Sequence, residues 1–96
     1  MIIAIYNDEE MEKLVKGEKC NLYKELARKK SFMNNLHSFF TLLNIFNETS
    51  ELSVFTYLQY TKKKFSSVLI KGTGFVKRLI FSEHNNGRKI IILDLI

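Results

Sequence analysis

The sequence contains no proline, no tryptophan and only one cysteine, and these absences exclude several classes of protein. A single Cys20 cannot build an intramolecular disulfide framework or a cysteine-rich zinc site, so a reducing, cytoplasmic setting is predicted. No apolar run approaches the roughly 20 residues of a membrane-spanning helix, and the N-terminus lacks the pattern of a signal peptide. The 96 residues therefore predict one small domain, 1–96, without membrane association, metal or cofactor.

The final third of the chain contains three β-rich runs separated by two turn signals, and reads FSSVLI-KGTG-FVKRLIFSE-HNNG-RKIIILDLI. Asn86-Gly87 predicts a two-residue type I′ hairpin turn, which requires positive φ at both central positions. Gly72 and Gly74 predict a looser connection, either a three- or four-residue turn or a bulge. Together these signals predict an antiparallel meander whose middle strand is 75–83.

Side chains alternate between the two faces of this middle strand. The face predicted to pack against helices holds the larger apolar groups: Phe75, Lys77, Leu79, Phe81 and Glu83. Arg78 lies on the opposite face, between Val76 and Ile80. A guanidinium cannot be buried there without a partner. Either Arg78 pairs with a carboxylate, or its face is an open surface where an anion can bind.

The N-terminal segment predicts a strand and a short helix. Ile2–Tyr6 is apolar on both faces, which favours a strand in an internal or well-covered position. Asn7 with Glu10 three residues later resembles a capping box at a helix start. Gly17 is expected to end that helix.

A second helical stretch is predicted to begin near Asn21, and its apolar stripe contains Leu22, Leu26, Met33, Leu36, Phe40 and Leu43. The polar run 28–31 divides it into two helices, with Ser31 as the cap of the second. Residues 51–60 favour a short helix or turn that leads into an extended segment, 60–64. The predicted class is therefore α+β, with the order β-α-α-(α)-β-β-β and a meander packed on helices.

Positive charge is concentrated in the meander. Residues 1–60 contain seven Lys or Arg against eight Asp or Glu, a net charge of −1, whereas residues 61–96 contain eight against two, a net charge of +6. This asymmetry predicts an anionic partner such as nucleic acid or an acidic protein segment. The alternative is that the cations only solubilise the strands and protect sheet edges. The cations predicted to bind nucleic acid are Lys62, Lys63, Lys64, Lys77, Arg88 and Lys89.

The order of elements and the segment SSVLIKGTGFVKRLIF, most closely at Arg78-Leu79-Ile80-Phe81, resemble the RelE/ParE superfamily of bacterial toxins. The resemblance implies the toxin of a bacterial or phage toxin–antitoxin pair, with an antitoxin protein as its partner. RelE-like members cut mRNA on the ribosome without a metal, through attack of the ribose 2′-OH on the adjacent phosphate.

Residue roles follow from the same resemblance. Arg78 matches the mid-strand arginine that stabilises the phosphate, and Lys71, followed by Lys77, matches the preceding basic positions. Glu83 and His84 adjoin the hairpin turn and are the candidates for proton transfer. Many active members carry a further Arg, His or Tyr in or after the last strand, whereas IIILDLI supplies none.

Three other functions stay open for this reason. The ParE-like branch inhibits DNA gyrase and depends less on a catalytic set. A non-enzymatic inhibitor encoded by a phage or mobile element would use the basic sheet to occupy a nucleic-acid site or a partner protein. A purely structural domain would pair its sheet with a partner strand. The local cation density favours an RNA target.

Overall fold

The computed structural model describes all residues from Met1 to Ile96. The elements, in chain order, are β1 (Ile3–Tyr6), α1 (Glu9–Lys16), α2 (Lys24–Ala27), α3 (Lys30–Ile45), two 3₁₀ helices (Thr49–Val54 and Thr56–Leu58), β2 (Thr61–Lys62), β3 (Ser66–Gly72), β4 (Phe75–His84) and β5 (Lys89–Leu95). The strands form one sheet in the order β1-β5-β4-β3-β2, with β1 parallel to β5 and the other pairs antiparallel. The predicted α+β class and the C-terminal meander are confirmed. None of the helices has the length and hydrophobicity that a membrane-spanning helix requires.

The helices cover only one face of the sheet, and β4 shows which face. Leu79 and Phe81 are completely buried, and Phe75 stacks on Phe32 of α3 with ring centroids 5.7 Å apart. Val76 and Arg78 are exposed on the other side. The predicted assignment of the β4 faces is therefore confirmed.

The buried stripe of α3 contains two of the predicted residues, Leu36 and Leu43. At the other two positions the buried residue is the one just before the predicted residue. α3 buries Phe32, Leu36, Phe39 and Leu43, which follow one another in steps of four, three and four. Met33 and Phe40 lie on the flank and are partly buried. The prediction extended the stripe from Leu22, which is 67% exposed, across the polar break. Because α3 begins anew at Lys30, the helical phase is not continuous across that break.

The helices begin and end close to the predicted positions, but the residues that cap them differ from the predicted ones. The carboxylate of Asp8, not Asn7, accepts from the N–H of Glu10 at 2.9 Å, and Gly17 ends α1 with φ of 75° as predicted. Residue 29, not Ser31, precedes α3. Residues 49–58 form 3₁₀ turns, and Glu48 with Glu51 provides the capping box there.

β1 lies at an edge of the sheet, so the predicted internal position is wrong. It pairs only with β5, and its outward side chains Ile3 and Ile5 are 53% and 42% exposed. An apolar run on both faces is typical of a covered parallel strand, but here only the Ala4 and Tyr6 side packs against helices.

The two hairpin connections have the opposite lengths to those predicted. β3 and β4 are joined by the two-residue turn Thr73–Gly74, because Gly72 pairs directly with Phe75. β4 and β5 are joined by the longer loop 85–88, in which residues 85, 86 and 87 all have positive φ. The Asn86-Gly87 hairpin turn is therefore wrong in length, although the hairpin itself is confirmed.

A β-bulge at Leu93 changes which side chains of β5 face the core. Phe81 pairs with Ile92 and Ile80 pairs with Asp94, which leaves Leu93 without a partner. Strict alternation from Ile92 would direct Asp94 into the core. The bulge keeps Asp94 exposed and buries the next residue of the strand.

Candidate functional site

Arg78 lies in the middle of β4 on the sheet face that no helix covers. Its side chain is exposed and forms no ion pair with a carboxylate. One guanidinium nitrogen, Nη1, donates to the hydroxyl of Ser67 on the neighbouring strand at 3.2 Å. Of the two arrangements predicted for Arg78, the structure shows the open surface. The other guanidinium donors are free to meet an anion.

Lys71 is the predicted site residue that the structure brings next to Arg78. Arg78 pairs with Leu69 and Lys71 pairs with Val76, so Lys71 and Arg78 are diagonal neighbours on one face. Diagonal side chains in an antiparallel pair start about 7–8 Å apart, which long side chains easily bridge. Neither cation lies within ion-pair distance of a carboxylate, although Asp94 is on the same face opposite Ile80. Two cations at this spacing give that part of the open face a positive potential that attracts anions.

A cavity of about 210 Å³ opens beside Lys71, between α3, the second 3₁₀ helix and β3. It is lined by Asn35, Ser38, Phe39, Tyr57 and Leu58 together with residues 69–71. Tyr57 is 54% exposed at its rim. The side-chain amide of Asn35 fixes the adjacent strand by donating to the carbonyl of Lys71 at 2.8 Å. Because α3 and the second 3₁₀ helix line this cavity, it lies on the helix-covered side of the sheet and is separate from the open face on which Arg78 lies.

His84 shares a face with Arg78 but lies far from it. The two residues are separated by six positions of β4, about 20 Å at the usual rise of a strand. His84 is exposed at the strand end, and its Nε2 is 2.9 Å from the hydroxyl of Ser82. A proton-transfer group must come within hydrogen-bond reach of the reacting atoms, so His84 and Arg78 do not act on the same phosphate in this arrangement.

Glu83 lies on the helix-covered side of the sheet, away from Arg78. Its side chain is only 6% exposed, and its carboxylate accepts hydrogen bonds from the hydroxyls of Thr49 and Ser66, both at 2.5 Å, and of Tyr60. The ammonium of Lys62 is 3.5 Å away. We call Glu83 with these four side chains the Glu83 cluster. It joins β4 to β2, β3 and the first 3₁₀ helix.

The ionisation of the Glu83 cluster follows from these contacts. Burial raises the pKa of Glu83, but hydrogen bonds from Ser66, Thr49 and Tyr60 and the charge of Lys62 outweigh it, so the pKa is lowered overall. Burial and the bond to Glu83 raise the pKa of Tyr60, so the phenol remains a donor. An ionised carboxylate with its oxygens already occupied is arranged to hold structural elements together.

The adjacent serines of β3 position both predicted charged residues. Ser66 points to the helix side and donates to Glu83, whereas Ser67 points to the open side and accepts from Arg78. Both serines are buried at the start of a strand whose next residues are aliphatic. Sequence reasoning missed these partners. The signal in the sequence is the pair of serines, Ser66 and Ser67, at the start of a strand that continues with Val68, Leu69 and Ile70.

The six cations predicted to bind nucleic acid are distributed over several surfaces. Lys62 pairs with Glu83, and Lys63 and Lys64 are exposed in the turn before β3. Lys77 is half-buried on the helix side of β4. Arg88 is exposed in the β4–β5 loop, and Lys89, half-buried, pairs with His84 on the open side of the sheet.

The structure therefore gathers Arg78, Lys71 and Ser67 into one cationic site on the open face, and leaves Glu83 and His84 outside it. Comparisons of this chain with protein-family models, with curated proteins and with solved structures find no match.

Proposed function

We propose that the protein is the toxin of a toxin–antitoxin pair and acts on mRNA in the cytoplasm in a RelE-like manner. The observation that carries the proposal is Arg78, exposed in the middle of β4, held by Ser67 and in no ion pair with a carboxylate, with Lys71 as its diagonal neighbour. The element order and the antiparallel meander agree with the small α+β arrangement that the resemblance implies.

The chemistry assigned to Arg78 is stabilisation of charge. In the proposed reaction the ribose 2′-oxygen loses its proton to water and bonds to the adjacent phosphorus, the bond from phosphorus to the 5′-oxygen breaks, and that oxygen leaves with a proton from water. The products are a 2′,3′-cyclic phosphate and a free 5′-OH, and negative charge increases on the phosphate oxygens along the way. A guanidinium that is oriented before the reaction stabilises that charge without reorganisation. Ser67 provides the orientation, and Lys71 adds a second positive charge.

Arg78→Ala tests the proposal through growth after induced expression. The substitution removes an exposed side chain, so the melting temperature should stay close to that of the parent. The toxic activity should fall about 10²-fold or more, which is typical of losing one charge-stabilising contact. Arg28→Ala is the matched control, because Arg28 is an exposed arginine at the end of α2, in the nearly neutral half of the chain. Full growth arrest by the Arg78 variant would contradict the RNA-cleaving assignment.

A second candidate, a non-enzymatic inhibitor, is favoured by the separation of Glu83 and His84 from Arg78. Mapping the 5′ ends of mRNA in arrested cells distinguishes the two. New ends that depend on Arg78 support cleavage, whereas arrest with intact mRNA supports inhibition by binding. Loss of plasmid supercoiling in the second case would assign the ParE-like gyrase branch.

The proposed antitoxin partner is an acidic, partly helical segment that covers Arg78 and Lys71. Opposite charges would steer it to the cationic site, and its apolar side chains would contact the uncovered sheet. Co-purification with the product of a neighbouring gene, and relief of growth arrest by that product, are the expected results. An interface mapped entirely to the far side of the helices would contradict this assignment.

A further inference from the structure

The two edges of the sheet differ in how they are protected against pairing with another strand. At one edge, β2 contains only two residues and is followed by Lys63 and Lys64, so short length and lysine charge block pairing. At the other edge, β1 has neither charge nor proline. Its outward residues Ile3 and Ile5 are exposed. Natural sheets rarely leave such an edge unprotected unless it is used.

The hydrogen bonds of β1 show which peptide groups are free. The N–H groups of Ile3 and Asn7 donate to carbonyls of Arg88 and Ile92, at 2.9 and 3.0 Å, on the β5 side. In a parallel pair alternate residues face the neighbouring strand. The peptide groups of Ala4 and Tyr6 therefore point to the open edge.

We propose that β1 pairs with β1 of a second copy of this chain, antiparallel, to form a continuous sheet across a two-fold axis. In this register Ala4 of each chain lies opposite Tyr6 of the other chain. Ile5 of one chain lies opposite Ile5 of the other, at the two-fold axis. Each Ala4–Tyr6 pair exchanges both of its hydrogen bonds, which satisfies the free peptide groups on both chains.

The side chains of β1 fit this arrangement. An apolar groove of about 350 Å³ runs beside the open edge, and its lining includes Ala4, Tyr6, Val15, Phe40 and Leu43. Small Ala4 leaves room on the helix side for the ring of Tyr6 from the second copy, and the same contact is repeated by symmetry. On the other side, Ile5 meets Ile5 at the axis, where the close approach of a non-hydrogen-bonded pair favours branched side chains.

The distribution of charge favours association of two copies through the β1 edge over association through other surfaces of the chain. The whole chain has a net charge of +5, which opposes association through its basic surfaces. The strand itself has no charged residue, and the first carboxylate of the chain, Asp8, lies beyond the paired residues. The neutral edge is thus the surface on which two copies meet with least repulsion.

Sedimentation or light scattering as a function of concentration tests the pairing. The parent should reach twice the monomer mass of 11.3 kDa at high micromolar concentration. Ile5→Lys places two ammonium groups opposite each other at the axis and should weaken association at least tenfold. Val54→Lys is the matched control, since Val54 is 74% exposed on a 3₁₀ helix away from β1, and it should associate like the parent.

Amide hydrogen exchange of the unmodified protein gives a readout that does not depend on any variant folding. The N–H groups of Ala4 and Tyr6 should become protected as the concentration rises, while exposed loop amides do not change. A monomer at every concentration, a dimer that survives Ile5→Lys in a folded variant, or association without protection of these two amides would overturn the proposal.

Discussion

At the scale of single residues, the Glu83 cluster shows how a charged group is made compatible with a core. Glu83 is the β4 residue that faces the helix side just beyond Phe81. Three hydroxyl donors and the ammonium of Lys62 compensate for the water that its carboxylate loses on folding. The sequence predicted the face of Glu83 correctly. It could not predict the donors, because Thr49 and Tyr60 come from segments distant in the chain.

Tyr60→Phe tests the strength of this cluster. The change removes one donor to a buried carboxylate and leaves the ring, which stacks near Phe81, in place. Unfolding by denaturant should show a loss of about 1.5–3 kcal/mol, as is usual for hydrogen bonds to charged groups. Tyr57→Phe is the matched control, because Tyr57 is 54% exposed, and it should change stability little. Equal losses from the two variants would contradict the structural role of the cluster.

The same cluster predicts how stability depends on pH. The folded-state pKa of Glu83 is lowered, so its stabilisation is complete above the unfolded-state pKa, about 4.3, and is lost as the pH falls through the folded-state value. The difference in unfolding free energy between the parent and Glu83→Gln should therefore shrink on acidification from about pH 7 to about pH 3. A difference that is constant over this range would show that ionised Glu83 is not what stabilises the fold.

At the scale of secondary-structure elements, the sequence located the hairpins but not their lengths. Asparagine tolerates positive φ better than most residues, and here Asn85 and Asn86 both adopt it before Gly87. The loop is thereby lengthened. Gly87 is buried against the first 3₁₀ helix, where its carbonyl accepts from the N–H of Thr49 at 3.0 Å. That contact brings Thr49 towards Glu83, and a local turn rule contains no information about it.

The bulge in β5 was equally difficult to predict. Four consecutive aliphatic residues, 90–93, fit either face, so they do not define a register. Only Asp94 indicates that the alternation of side chains between the two faces is interrupted, because strict alternation from Ile90 would bury its carboxylate. A rule that keeps unpaired carboxylates in solvent would have indicated the bulge.

Substitution of two glycines separates backbone strain from packing. Gly74 and Gly87 both have φ of 80°, but a Cβ at Gly74 would meet nothing within 4 Å, whereas a Cβ at Gly87 would collide with the Thr49 hydroxyl. Gly74→Ala should cost about 1–2 kcal/mol from the left-handed conformation alone. Gly87→Ala should cost clearly more in the same denaturant titration, since Thr49 must also move from Glu83. Equal costs would show that the loop is not held against the 3₁₀ helix.

At the scale of the whole molecule, the class of fold and the uneven distribution of charge could be predicted from the sequence. Which of the predicted site residues lie together depends on tertiary contacts and could not. Because helices cover one face of the sheet, the faces of β4 followed from side-chain alternation, and Arg78 was correctly placed on the face opposite the helices. The sequence left open whether a carboxylate would pair with it there. The predicted group of Arg78, Lys71, Glu83 and His84 is divided, because neighbours in a strand face opposite sides and six residues of strand span the length of the sheet. Proximity in sequence did not produce proximity in space.

The salt dependence of RNA binding tests whether the open face is the surface that binds the polyanion. Each phosphate contact with single-stranded RNA contributes about 0.7 to the slope of log affinity against log salt concentration. Lys71→Ala and Arg78→Ala should each reduce that slope by about this amount. Lys24→Ala is the matched control, since Lys24 is an exposed lysine of α2 in the nearly neutral half of the chain, and it should leave the slope unchanged. Equal reductions from all three variants would show that the RNA responds to overall charge, and the cationic site of Arg78 and Lys71 would then have no special part in binding.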